Sequence, residues 1–159
     1  MNIAVTGANR GLGLELLGFF LSEGHRVAAL ARKESEELKK LSHQYKDKLL
    51  FCSMDVTNEE EIEKAAAFVL ENMGGLDILV NNAAVFPEFP GKDIEELDFS
   101  SYLHTFDVNS MGPLKVVKYF LKLLRKGESK RIVNISSEAG SISKSWRERD
   151  YSYAMSKAA

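Results

Sequence analysis

The chain has 159 residues, of which 45% are apolar and 28% charged, which is ordinary for a globular protein and enough for one domain with a sizeable core. Its formal net charge of -2 gives no long-range attraction to nucleic acid or to an anionic membrane, so both partners are disfavoured. Without an apolar run that could span a bilayer, a signal-peptide pattern or a second cysteine beside Cys52, we expect a cytoplasmic protein with no disulfide and no metal.

The N-terminal stretch has the pattern of a strand, a glycine-rich turn and a helix. Residues 1–6 predict a buried strand, and residues 14–24 an apolar helix. Between them the glycines are spaced as Gly7-x-x-x-Gly11-x-Gly13. This order directs free backbone N–H groups and the positive end of the helix at a phosphate, and glycines let the backbone approach it. The alternative is a turn that only joins two elements, but the context favours phosphate binding.

A second strand is predicted at residues 26–31, which completes a βαβ unit and hence a parallel pair. A site selective for NAD carries a carboxylate at the end of this strand, where it binds the ribose 2′-hydroxyl. This chain has Arg32 and Lys33 there, and Arg32 together with Arg10 can hydrogen-bond a 2′-phosphate. The pattern favours NADP(H) over NAD(H). The alternative is a solvated basic corner ahead of the next helix.

Two amphipathic helices flank a third strand. Residues 34–45 and 58–73 have the helical period, and residues 48–54 have a strand-like apolar centre. Asp55 follows this strand and is most simply a turn or capping residue, because Thr57 and the residues after it have the pattern of a helix start.

A fourth strand is predicted at residues 76–80 and runs into Asn81-Asn82-Ala83-Ala84. Small and polar residues therefore lie at the carboxyl end of a strand, where open parallel sheets bind ligands. The alternative, which this stretch alone would favour, is an Asn-rich turn that leaves the sheet. Residues 85–98 contain two prolines and a glycine and are expected to form a loop.

Two helical runs, 99–109 and 111–126, follow the loop. The second run carries an apolar stripe, which consists of Met111, Leu114, Val117, Phe120, Leu121 and Leu124. We expect this stripe to belong first to the core and second to a subunit interface. Asn109 lies at the end of the first run, where one interpretation is an ordinary helix-breaking residue before Gly112 and Pro113.

The C-terminal part brings hydroxyl groups, a phenol and an ammonium. A predicted fifth strand ends in Ser136 and Ser137, and serines are common at solvated strand ends. In the last helical stretch, 150–159, Tyr153 and Lys157 stand four residues apart, so a helix places them on one face. The ammonium favours loss of the phenolic proton, and such a tyrosine can exchange a proton near neutral pH. By itself this spacing is weak evidence, because it occurs in many unrelated helices.

Five motifs occur in one order on this βα pattern: the glycine loop, the Asn81–Ala84 segment, Asn109, Ser137 and Tyr153-x-x-x-Lys157. In this combination the chain resembles the short-chain dehydrogenase/reductase family over essentially its whole length. It is similar to the family's NADPH-dependent carbonyl reductases, including the group that contains bacterial C-factor. The resemblance implies an α/β fold, a Rossmann-type doubly wound parallel sheet with strand order 3-2-1-4-5, truncated before the last strands.

The resemblance also implies roles for single residues. It implies that NADP(H) is bound by Gly7, Asn9, Arg10, Gly11, Leu12, Gly13, Arg32, Asp55, Val56, Asn82, Ala83, Ala84, Tyr153 and Lys157. Asp55 would lie beside the adenine, and Ala84 departs from the family's usual glycine. Tyr153 would protonate the carbonyl oxygen as hydride arrives, and Ser137 would orient that oxygen. Lys157 would favour the ionised phenol and bind the nicotinamide ribose. Asn109 would distort its helix and link the lysine to solvent through a water.

We therefore expect an oxidoreductase that transfers a hydride between NADPH and a small-molecule carbonyl or alcohol. The alternatives are a nucleotide-binding regulatory or interaction module without turnover, and an unrelated α/β domain such as a flavodoxin-like signalling fold. Helices 111–126 and 150–159 resemble the family's four-helix dimer interface, which implies a homo-oligomer.

The family continues beyond the position of Ala159 into further strands and helices. Residues 1–159 are therefore expected to be a C-terminally incomplete dinucleotide-binding domain of a longer enzyme, which leaves the activity of this chain open; a shortened binding protein is the alternative. The gap between Ser137 and Tyr153 suggests a small insertion within residues 143–149, and we expect this loop, which carries Trp146, to border the substrate pocket.

Overall fold

The computed structural model describes residues 1–87, 93–143 and 148–159. In these parts of the chain the strands are β1 Asn2–Thr6, β2 Arg26–Ala31, β3 Leu49–Ser53, β4 Ile78–Asn81 and β5 Arg131–Asn134. The α-helices are α1 Gly11–Ser22, α2 Glu36–Gln44, α3 Glu59–Met73, α4 Tyr102–Phe106, α5 Gly112–Lys126 and α6 Tyr151–Ala158. The remaining helical turns are 3₁₀ turns at Ile94–Glu96, Phe99–Ser101 and Glu138–Gly140, and a π-turn at Asp107–Met111. Trp146, predicted to border the pocket, lies outside the described residues.

The strands form one parallel sheet in the order β3-β2-β1-β4-β5, which confirms the predicted order. β1 lies at the centre, where Ile3 pairs with Val27 on one side and with Ile78 on the other. Because the strands are parallel, their carboxyl ends lie at one edge of the sheet. The turns after β1, β2, β3 and β4 therefore meet at that edge.

Helices cover both faces of the central strands. Ile3 and Val5 of β1 pack with Leu17 of α1 and Leu38 of α2, whereas Ala4 belongs to a second cluster with residues of α3 and α5. That second cluster includes Ile62, Ala65, Val69, Leu79, Val116, Phe120 and Leu124. Burial on both faces is the reason that the central strands read as continuous apolar runs rather than as an alternation.

Local capping explains where α3 begins and ends. The side chain of Asn58 accepts hydrogen bonds from the N–H groups of Glu60 and Glu61, which otherwise have no partner at a helix N-terminus. At the other end, Gly74 has a φ of 78°, a left-handed conformation that glycine adopts without strain. The predicted helix 58–73 thus has its first residue as the cap.

The prediction of two separate helical runs around Asn109 is wrong in one respect. The chain passes from α4 through the π-turn into α5 without leaving the helical path. Pro113 is the second residue of α5 and directly follows the π-turn, where the hydrogen bonding is already displaced because Gly112 N–H bonds to the carbonyl of Asp107. Asn109 therefore lies within a local distortion of the helix and does not end it.

The predicted apolar stripe of α5 is divided between two faces. Phe120 and Leu124 are buried, but Met111, Leu114 and Leu121 are 48%, 63% and 37% exposed, so the prediction that they belong to the core is wrong. Val116 and Leu123 take the core positions instead, because α3 and the sheet lie on that side of the helix. None of the helices described here combines the length and apolar character needed to cross a membrane.

Candidate active site

A cleft of about 710 Å³ lies at the carboxyl edge of the sheet, where the turns after β1, β2, β3 and β4 meet. It contains the predicted cofactor residues Gly7, Asn9, Arg10, Gly11, Leu12, Gly13, Arg32, Asp55, Val56, Asn82, Ala83 and Ala84. Its lining also includes residues that we did not predict for the cofactor, namely Ala31, Lys33, Met54, Val85 and Val108. Tyr153 and Lys157, also predicted to bind the cofactor, are not part of this lining.

Two glycines are required by the close packing of the loop. Gly7 has a φ of +64°, and a Cβ there would lie 2.8 Å from the Cα of Ala83. A Cβ on Gly13 would clash with the carbonyl oxygen of Gly7 and lie 2.6 Å from Nδ2 of Asn82. No side chain fits at either position. The start of α1 is consequently held against β1 and the turn after β4, with its first N–H groups at the cleft.

Thr6 and Asn82 join the end of β1 to the turn after β4. Thr6 Oγ1 accepts hydrogen bonds from the N–H groups of Asn82 and Ala83, both at 3.0 Å. In return, Asn82 Nδ2 donates to the carbonyl oxygens of Thr6 at 2.9 Å and Gly7 at 3.2 Å. The side chain of Asn82 thus holds together the two turns that line this side of the cleft.

The end of the cleft next to β2 is basic. Arg10, Arg32 and Lys33 line it and are exposed, and no carboxylate directly follows β2. Asp55, at the end of β3, accepts hydrogen bonds from Thr57 N at 2.9 Å and Thr57 Oγ1 at 2.8 Å. Although burial opposes ionisation, these bonds and the nearby positive charge of Arg32 hold the pKa of Asp55 below its usual value. Asp55 is therefore a carboxylate at neutral pH.

The side chain of Asn109 makes three hydrogen bonds inside the protein. Its Oδ1 accepts from Val85 N at 2.9 Å, and its Nδ2 donates to Val85 O at 3.0 Å and to Ser156 Oγ at 2.9 Å. These three bonds use both protons of the amide and one face of its oxygen. Asn109 thereby connects the lining of the cleft to the helix that carries Tyr153.

Tyr153 and Lys157 lie on the same side of α6, as predicted. The Lys157 ammonium lies 5.8 Å from the centre of the Tyr153 ring and donates to the carbonyl oxygen of Ile135 at 2.9 Å. Burial lowers the pKa of Lys157 from its ordinary value of 10.5, because a half-buried ammonium loses part of its hydration. Phe86 stacks on the Tyr153 ring, with ring centres 4.5 Å apart. The spacing of the sequence contained no signal for this aromatic contact.

Ser137 follows β5 and caps the 3₁₀ turn Glu138–Gly140. Its hydroxyl donates to Glu138 Oε2 at 2.8 Å and accepts from Ala139 N at 3.2 Å. A Cβ on Gly140 would clash with the carbonyl oxygen of Lys157, so the turn packs directly on α6. Ser137 is thus brought to the helix of Tyr153, with its proton directed at Glu138.

Among the described residues, no group of three or more His, Cys, Asp and Glu side chains could hold a metal ion.

Comparison with known proteins places this geometry in context. The model of the short chain dehydrogenase family matches residues 1–159. The (+)-neomenthol dehydrogenase of Arabidopsis thaliana is 36% identical over 87% of this chain and 54% of that protein, and the benzil reductase ((S)-benzoin forming) of Bacillus cereus is 28% identical over 87% and 57%. The chain thus spans little more than half the length of these relatives.

Solved structures agree with the sequence relatives. The NADPH-bound carbonyl reductase from chicken fatty liver superimposes with a TM-score of 0.87 and 31% identity over 99% of this chain and 68% of that chain. The carbonyl reductase Sniffer of D. melanogaster gives a TM-score of 0.89 and 27% identity over 99% and 69%. The parallel sheet and its flanking helices are therefore those of a Rossmann-like fold.

Proposed function

The chain belongs to the short-chain dehydrogenase family of oxidoreductases, which use nicotinamide cofactors, and from this premise we propose that it transfers a hydride between NADPH and a carbonyl or alcohol substrate. The observation that carries the proposal is the position of the cleft. A loop of the phosphate-binding type lines one side of the cleft. Val85 on the lining bonds to Asn109, which bonds to Ser156 on the helix that carries Tyr153 and Lys157. The nicotinamide, when bound, supplies the hydride, and the protein supplies orientation and a proton.

The loop around Gly7 and Gly13 fits a pyrophosphate. Side chains are excluded at both positions, so the backbone N–H groups at the start of α1 can approach an anion directly. Preference for NADPH over NADH follows from Arg10 and Arg32. As exposed cations on the wall of the cleft, they can hydrogen-bond a 2′-phosphate, and no carboxylate directly after β2 repels it.

Tyr153 is the proposed acid that protonates the substrate oxygen as hydride arrives, and the reverse reaction uses it as the base. Lys157, whose ammonium lies 5.8 Å from the centre of the Tyr153 ring, places a positive charge beside the proposed acid and binds the nicotinamide ribose. Ser137 orients the substrate oxygen by donating its proton, for which it has to exchange the bond to Glu138 for a bond to substrate.

We propose that the water next to Lys157 is bound by the main-chain carbonyl of Asn109. Both protons of the Asn109 amide are donated to Val85 and Ser156, and its oxygen accepts one bond from Val85 N–H. Pro113 has no N–H, so the carbonyl of Asn109 lacks the donor that a regular α-helix supplies four residues on, and the N–H of Gly112 bonds to the carbonyl of Asp107. A carbonyl at this turn without its regular helical donor can accept a water that carries protons between the lysine and solvent.

The deciding experiment compares NADPH with NADH binding by calorimetry, in the wild type and in Arg32→Asp. We expect the wild type to prefer NADPH and the variant to lose or reverse that preference. Arg26→Asp is the matched control, because Arg26 lies at the opposite end of the same strand and the charge change is identical. Failure of both nucleotides to bind would end the proposal. Binding without any reduction across a panel of carbonyls would favour the nucleotide-binding module without turnover, and Tyr153→Phe tests the acid directly.

We also propose that α4, α5 and α6 contribute to a homo-oligomer interface. Leu103 of α4, Met111 at the end of the π-turn, Leu114 of α5 and Met155 of α6 are 85%, 48%, 63% and 52% exposed, and an interface would remove these apolar side chains from water. Sedimentation should report an oligomer for the wild type, and Leu114→Glu should reduce it to a monomer. A monomeric wild type at high concentration would argue against the interface.

A further inference from the structure

Ser156 is a buried residue of α6 that the proposed mechanism does not use. It stands between Tyr153 and Lys157 in sequence and is only 2% exposed. Its hydroxyl accepts from Asn109 Nδ2 at 2.9 Å and donates to the carbonyl oxygen of Tyr153 at 2.8 Å. Its own carbonyl oxygen accepts from Ser110 Oγ at 2.8 Å. One residue of α6 is therefore held, by side chain and main chain, by two consecutive residues of the π-turn.

The bond between Ser156 and Asn109 has no evident substitute. The two protons on Asn109 Nδ2 have two partners, Val85 O and Ser156 Oγ. If the serine hydroxyl is removed, one proton of a buried amide loses its acceptor, and the amide has to turn away from Val85 or α6 has to move. Both responses change the geometry between the cleft and α6.

The two groups of the proposed chemistry flank Ser156 on the same helix. Lys157 is the next residue, and Tyr153 lies one turn earlier with its carbonyl bonded to the Ser156 hydroxyl. Val85, at the other end of the network, lines the cleft. A change in the rotation or depth of α6 would move the phenol and the ammonium together, relative to everything bound in the cleft.

We propose that Ser156 is a positioning residue that sets the place of Tyr153 and Lys157 relative to the cofactor cleft, and that it acts through Asn109. This inference rests on the proposed hydride-transfer function. Displacement of a proton donor by a fraction of an ångström reduces turnover more than substrate binding, because orientation matters most in the transition state. The expected signature is therefore a loss in kcat.

The kinetic test is a double-mutant cycle of Ser156→Ala and Asn109→Ala. We expect Ser156→Ala to lower kcat for NADPH-dependent carbonyl reduction at least tenfold, with a smaller change in KM, and Ser156→Thr to recover most of the loss. If Ser156 acts through Asn109, the double variant is no slower than Asn109→Ala alone. Ser110→Ala, which removes a bond to Ser156 but leaves the Asn109 amide paired, is the matched control and should cost less than threefold. Additive losses in the cycle would overturn the proposal.

A second test does not need turnover. The ammonium of Lys157 can be titrated by NMR after isotope labelling, and its resonance is assigned by its disappearance in Lys157→Arg. In Ser156→Ala we expect the pKa of Lys157 to rise toward its ordinary value, because a displaced α6 hydrates the ammonium. If the variant melts at lower temperature but Lys157 titrates as in the wild type, Ser156 only stabilises the fold and the proposal is wrong. If the pKa of Lys157 changes in Ser156→Ala while the wild type reduces no carbonyl, the proposed function is wrong, but the proposal that Ser156 positions Tyr153 and Lys157 stands.

Discussion

Replacing Thr6 by valine is the sharpest test of how the cleft is built. Thr6 is 1% exposed, and its single hydroxyl accepts two backbone hydrogen bonds, from Asn82 and Ala83. Valine has nearly the same shape, so Thr6→Val removes the acceptor without leaving a cavity. Both N–H groups then lose their partner at the start of the turn that lines the cleft.

The magnitude follows from the number of donors left without a partner. A fully buried donor whose acceptor is removed costs about 1–3 kcal/mol, which for two donors gives about 2–6 kcal/mol; because these two N–H groups are only partly buried, we expect a loss near the lower end in the free energy of unfolding. Thr6→Ser is the matched variant, because it retains the hydroxyl and loses only a methyl group. For that loss we expect about 0.5–1.5 kcal/mol.

Urea unfolding followed by circular dichroism measures both variants against the wild type. The valine variant should also bind NADPH more weakly, because Ala83 lines the cleft and the turn that holds it loses two hydrogen bonds. The serine variant should bind normally. If Thr6→Val is no less stable than Thr6→Ser, the hydroxyl does not hold the turn and this account of the cleft is wrong.

The remaining predictions concern the loop and the sheet's opposite edge. Gly13→Ala should weaken NADPH binding at least tenfold, because the added Cβ meets Gly7 and Asn82. Gly18→Ala in the same helix is the matched control: its Cβ has open space, so it should stabilise the protein by about 0.5–1 kcal/mol. Equal effects of the two variants on NADPH binding in calorimetry and on thermal melting would refute this contrast. Asp77 accepts from three backbone N–H groups, which outweigh burial and lower its pKa from 3.8. Asp77→Asn should therefore cost about 1–3 kcal/mol at neutral pH, and the difference from the wild type should shrink as the pH falls below 3.8, through the lower folded-state pKa. A pH-independent difference in urea midpoints would contradict the ionic origin.

The strands, the helices and the location of the cleft were predictable because they depend on local signals, whereas the strand order came from the family resemblance. Apolar runs, glycines and caps recur along the chain at the βα period, and carboxyl strand ends must meet in a parallel sheet. The family resemblance supplied the roles of Tyr153 and Lys157, since a tyrosine and a lysine four residues apart on a helix are common. Local signals alone would not have selected them.

The contacts around Asn109 and Ser156 were not predictable in the same way. Asn109 in the π-turn bonds to Val85, which is 24 residues away in the chain, and the turn is followed by a proline that removes a helical donor. A serine next to a lysine carries no signal of its own, because its burial depends on how α6 docks. The prediction that the whole apolar stripe of α5 belongs to the core was wrong for a related reason. Periodicity identifies apolar faces of a helix but does not show which face meets the core.

The Asn side chains at the carboxyl edge of the sheet serve mainly to hold that edge together. Asn81 donates to Asn134 at 2.8 Å across β4 and β5, Asn82 binds the β1 turn, and Asn109 binds Val85 and Ser156. An amide both donates and accepts, so it can satisfy backbone groups where strands end without introducing a charge. Affinity for an anionic cofactor then has to come from backbone N–H groups and cations. Substitutions of the amides should accordingly change stability and binding together, whereas charge reversal at exposed Arg32 should change binding much more than stability.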